Sequence, residues 1–141
     1  MARVTIDLPD SFSFQTDILL YASHMNRMNH LDNALLLSVV SEARMRFFAS
    51  LGYDEQDVEG IGVIVADAAL QYRSEAHHGE TMRVSMTATA FWERGCDLVW
   101  AMDERESGRR VAHGKTGVVF FDYAKNQAAP VPRPFAAHFG A

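Results

Sequence analysis

Between His24 and Asn33 the chain places two histidines, three asparagines and an aspartate within ten residues, His24-Met25-Asn26-Arg27-Met28-Asn29-His30-Leu31-Asp32-Asn33. The long apolar run Ala34 to Leu51 follows directly, so this polar loop stands at the start of a helix that must be buried. A helix start offers backbone N–H groups without intrahelical partners and the positive end of the macrodipole. Such a place polarises a carbonyl or holds an anion, and the imidazoles and carboxylate of the loop add acid/base groups beside it. A plainer reading needs no chemistry: Asp32 and Asn33 are preferred capping residues, and the histidines are then surface polar groups. Composition alone leaves both open.

Other stretches offer less. Gly108-Arg109-Arg110-Val111-Ala112-His113-Gly114-Lys115-Thr116 imitates a phosphate loop, but five residues separate its glycines where that motif needs four. The strand-like Gly117-Val118-Val119-Phe120-Phe121 follows, so no helix start is there to take a phosphate. His77-His78 does not read as a metal site, since neighbours in an extended segment point to opposite sides and no third ligand is spaced nearby. Cys96 lacks the framework of a cysteine nucleophile, and no Gly-x-Ser-x-Gly elbow is present.

The elements that must position the loop follow from hydrophobic patterning. Residues 12–22 read as an opening strand. From Asn33 to Leu51 the residues Leu35, Leu36, Leu37, Val39, Val40, Ala43, Phe47, Phe48 and Leu51 leave only a narrow polar stripe, which predicts a helix buried on most sides. Asp32 or Asn33 serves as its N-cap and Gly52 as its stop, for a length of roughly 28 Å. Glu42 and Arg46 stand at i, i+4 and are expected to pair. Strands are expected at 61–72, 81–92, 97–102 and 110–123. In the second of these Met82, Val84, Met86, Ala88, Ala90 and Trp92 share one face. Prolines at 130, 132 and 134 make the tail extended and keep it out of a sheet centre. The whole predicts an α+β domain: an antiparallel sheet of five or six strands wrapped around one long helix. Such a sheet leaves an edge and a flank open, so a homodimer or a dimer of dimers is expected.

The chain has 141 residues, fitting a single domain over 1–141, and is 48% apolar and 22% charged. A net charge of −5 argues against nucleic acid or an anionic membrane as partner. One cysteine excludes an internal disulfide and a cysteine-based zinc site. Neither a signal-like N-terminal stretch nor an uncharged apolar span is evident, and a cytoplasmic protein is expected.

Over about residues 12–134 the sequence resembles the hotdog-fold thioesterases, in the branch of the 4-hydroxybenzoyl-CoA and acyl-CoA thioesterases. The residues that carry the likeness are Asn26 to Asn33, then Ser41-Glu42-Ala43-Arg44, Leu51-Gly52, Tyr72-Arg73-Ser74-Glu75-Ala76-His77-His78-Gly79-Glu80, and Ala112 to Thr116 running to Phe121-Asp122. The catalytic carboxylate usual in that family falls here on Asn26, which can be neither general base nor nucleophile. The loop instead carries Asp32 where the family has asparagine, and Leu36 stands in place of a tyrosine on the helix.

The resemblance implies hydrolysis of an acyl-CoA or acyl-carrier thioester, without cofactor or metal. The backbone N–H of Asn33 would polarise the carbonyl, Asp32 or His30 would activate water, and Asn26 would orient it. Tyr72, Arg73 and Arg83 are the expected substrate contacts, the arginines for carrier phosphates. A hotdog protein that binds such thioesters without hydrolysing them, or one that dehydrates a hydroxyacyl thioester, remains the alternative.

Overall fold

The computed structural model describes residues 3–141. Strand β1 (Phe14–Leu19) leads through a 3-10 turn at Ala22–His24 to helix α1 (Asn33–Ser50). Strands β2 (Gly62–Tyr72), β3 (Thr81–Trp92), β4 (Gly95–Glu104) and β5 (Arg110–Asp122) follow, then the short β6 (Gln127–Ala128) and a closing helix α2 (Arg133–Ala137). The strands form one antiparallel sheet in the order β1-β3-β4-β5-β2, and β6 pairs the end of β5. This is the expected α+β arrangement of a sheet curled about one helix. The segment that imitated a phosphate loop is β5, paired to β4 and β2 along its length.

Alternation decides what each strand buries. Met82, Val84, Met86 and Ala88 of β3, Leu98, Trp100 and Met102 of β4, and Val118 and Phe120 of β5 form one apolar cluster with α1. On β5, Gly114 lies under the Trp100 ring: a Cβ there would come within 2.9 Å of Cζ2. Only glycine lets the strand run so close to the indole. The β4–β5 turn is held by Glu104, whose carboxylate accepts the N–H groups of Glu106 (2.7 Å) and Ser107 (3.0 Å).

The structure corrects four details. The alternation of β3 holds only to Thr89, because Ala90 adopts φ 53° and a bulge shifts the register before Trp92. Phe91 therefore packs against the core and Trp92 is 54% exposed, the reverse of the simple pattern. Within one chain α1 is not buried on most sides. Leu36, Val39, Val40, Ala43, Phe47 and Phe48 face the sheet, while Ala34, Ser38, Met45 and Ala49 are exposed. The opening strand is shorter than residues 12–22 suggested, since the chain turns into the 3-10 segment. The tail is extended only as far as Pro132; a proline in the first turn is compatible with a helix, and α2 forms there to bury Phe135 against Phe48 and Phe120. No helix of the described residues is long and apolar enough to cross a membrane.

Candidate active site

The loop before α1 is built around Asn26. Its Oδ1 accepts the N–H of Met28 (2.9 Å) and of His30 (3.2 Å), and its own N–H donates to the His30 carbonyl (2.8 Å). Asn29 takes φ 61°, a left-handed conformation that asparagine tolerates, and closes the turn. The amide of Asn26 thereby fixes the backbone that presents His30.

Asp32 caps the helix: one oxygen, Oδ2, accepts from Ala34 N (2.9 Å) and Leu35 N (3.2 Å). The Leu36 N–H makes the first helical bond, to the Asp32 carbonyl (2.9 Å). Of the first-turn donors, this leaves the Asn33 N–H without an acceptor among the described residues. The Asn33 carbonyl accepts from the Tyr72 hydroxyl at 3.0 Å, which ties the helix start to the end of β2.

A second segment meets this loop. Leu31 N donates to the Ala76 carbonyl (2.8 Å), bringing residues 73–80 against the helix start. Between them lies a cavity of about 340 Å³ lined by Asn26, His30, Asn33, Tyr72, Arg73 and Glu75 with their apolar neighbours. His30 Nε2 lies 3.1 Å from Glu75 Oε2. Arg109, from the start of the β5 hairpin, braces the segment by donating to Ser74 Oγ (3.1 Å), the Glu75 carbonyl (2.9 Å) and Glu80 (3.3 Å).

The expected residues thus divide. Asn26, His30, Asn33, Tyr72 and Arg73 line one cavity. Asp32 is not among the residues that line it, and its Oδ2 is engaged in the helix cap. Arg83 does not line the cavity: on β3 it forks onto Asp17 of β1 at 3.0 and 3.3 Å. The Arg83 guanidinium, joined by that of Arg105, holds the Asp17 carboxyl below its ordinary range. The expected Glu42–Arg46 pair is present at 2.7 Å. Glu75 and Arg109 were not singled out from the sequence. Nothing in spacing announces them, since it is the bond between Leu31 and Ala76, 45 positions apart, that brings Glu75 to His30.

Two further groups are disposed of by their surroundings. Burial pushes the Cys96 thiol up to about 12, so it holds no thiolate at neutral pH. A larger hollow of about 1040 Å³ lies along the other flank of α1 near Met45, Tyr53 and Tyr123. Its lining includes the carboxylates Asp54 and Glu55 but no histidine.

The sequence profile of the thioesterase-like superfamily matches residues 20–139. No curated protein matches the chain in sequence. Among solved structures, a putative thioesterase from Pseudomonas aeruginosa superposes with a TM-score of 0.84 at 22% identity, covering 92% of this chain and 99% of that one. A 1,4-dihydroxy-2-naphthoyl-CoA thioesterase from Synechocystis gives 0.79 at 19% identity, with 88% and 93% covered. A Staphylococcus aureus protein solved in complex with CoA gives 0.81 at 14% identity, with 95% and 86% covered. At these identities the likeness establishes the fold, and the profile match establishes the family. The chain belongs to the thioesterase-like superfamily and has its hotdog fold.

Proposed function

We propose that the protein hydrolyses acyl thioesters of coenzyme A in the cavity between the start of α1 and the Tyr72–Ala76 segment. The observation that carries this reading is the unaccepted Asn33 N–H in the same cavity as the His30–Glu75 pair. A thioester oxygen accepting that N–H would have its developing charge met by a fixed donor at the positive end of α1.

Neutral His30, donating Nε2–H to Glu75, carries its lone pair on Nδ1. In that tautomer Nδ1 takes a proton from water as the water oxygen bonds to the carbonyl carbon. The tetrahedral intermediate then collapses, the carbon–sulfur bond breaks with its electron pair on sulfur, and the imidazolium returns its proton to the thiolate. Thiolate is a good leaving group and needs little help. Asn26 acts through the backbone of His30, Asp32 by holding the helix start in place, and Arg73 as the cation nearest an arriving phosphate.

Binding without hydrolysis has one observation in its favour: Asn26 supplies no carboxylate where the resembling enzymes have one. Release of free thiol from a panel of acyl- and aryl-CoAs separates the two. Saturable release is expected; thioesters that bind and stay intact would favour the binding reading.

A further inference from the structure

We infer that His30, Glu75 and His77 form a binding site for a divalent transition-metal ion, of which Zn2+ suits the donor set. Their ligand atoms all lie within 4.8 Å of one another. His30 Nε2 is 3.1 Å and His77 Nε2 is 4.0 Å from the same oxygen, Glu75 Oε2. Tetrahedral zinc with bonds of 2.0–2.1 Å spaces its ligands by about 3.3 Å. One contact already matches; the other requires His77 to approach Glu75 by about 0.7 Å, with the two histidine ligand atoms, which lie within 4.8 Å of each other, coming to the same spacing.

That movement is available. The His77 side chain is 48% exposed and sits in a turn, touching the His30 ring edge-on at a centroid distance of 5.4 Å. Glu75 is 64% exposed, so an ion could arrive from solvent. His78 takes no part: the second imidazole comes from the loop before α1, brought across by the Leu31–Ala76 bond.

A second, independent feature points to a ligand. His77 Nδ1 lies 3.2 Å from Glu80 Oε1, which also accepts the His77 backbone N–H at 2.7 Å. Glu80 is in turn held by Arg109 at 3.3 and 3.4 Å. A carboxylate on Nδ1 fixes the tautomer whose lone pair is on Nε2, the atom turned toward Glu75 and His30. This carboxylate–histidine arrangement is how proteins orient a metal-ligating imidazole. Three protein ligands leave the fourth position of a tetrahedral ion open to water.

The site stands on these contacts whether or not the cavity hydrolyses a thioester. Ligation takes the His30 Nε2 lone pair and so requires its Nδ1–H tautomer, opposite to the one proposed for hydrolysis. The metal-bound form is therefore not the hydrolytic form.

The test is titration of chelator-treated, tag-free protein with Co2+, followed by its visible absorption bands, and then displacement by Zn2+. One equivalent per chain is expected. His30→Ala and His77→Ala should abolish the bands. Glu80→Gln should weaken binding by about 10- to 100-fold, the cost of losing an outer-shell partner. His78→Ala should leave binding unchanged. Absence of saturable binding, or binding equally strong in the His30 and His77 variants at unchanged melting temperature, would overturn the site.

Discussion

Asp32 and Asn26 show how one residue type can be read two ways until its hydrogen bonds are known. Asp32 Oδ2 holds two N–H groups of α1. Asparagine caps about as well as aspartate, whereas alanine in place of a capping residue costs about 1 kcal/mol. Asp32→Asn should therefore keep both turnover and melting temperature, and Asp32→Ala should lower stability by about that amount. Loss of turnover in Asp32→Asn at unchanged stability would return the aspartate to the role of base. Asn26→Asp preserves the acceptor for Met28 and His30 and should retain activity, because an aspartate oxygen can take the same two bonds. Retained or raised thiol release in that variant, against the parent, is the check.

At the scale of elements, β5 carries an unusual group. His113 is 6% exposed, and its Nδ1 has no partner among the described residues. Burial, followed by the nearby charges of Arg110 and Arg73, pushes its imidazole below the ordinary 6.5. The unfolded chain then takes up a proton at this residue before the folded chain does. The stability it supports is full above pH 6.5 and lost as pH falls from there toward the folded-state value. Melting temperature measured across that window should fall less steeply in His113→Gln than in the parent; parallel curves would show that His113 does not titrate as described. The elements themselves were largely legible. Capping at Asp32, the apolar run of α1 and the alternation of β3 gave the sheet and helix, since each is a local pattern. The bulge at Ala90 and the helix at Arg133–Ala137 were not, because both depend on packing of Phe91 and Phe135 that only the closed core supplies. The site was half legible for the same reason: His30 belongs to a conspicuous loop, while Glu75, Glu80 and Arg109 join it only through tertiary contacts.

At the scale of the whole molecule, the exposed side of α1 and the edge strand β2 pose a solvation problem. Met45 is 58%, Val65 50% and Tyr123 61% exposed, and the outer backbone groups of β2 lack a partner strand among the described residues. A homodimer or dimer of dimers that covers this face is the assembly proposed, and sedimentation should give a mass of two or four chains. A monodisperse monomer at micromolar concentration would contradict it. The proposed hydrolysis rests on a loop histidine paired with a carboxylate from the segment that follows β2, near a helix N–H that has no acceptor among the described residues. It is tested most directly by thiol release from the best acyl-CoA, compared between parent, His30→Ala and Glu75→Gln. Saturable turnover is expected in the parent and a loss of about a hundredfold or more in His30→Ala, the scale of a general base, with a smaller loss in Glu75→Gln and unchanged melting temperatures. Full turnover in His30→Ala would contradict it.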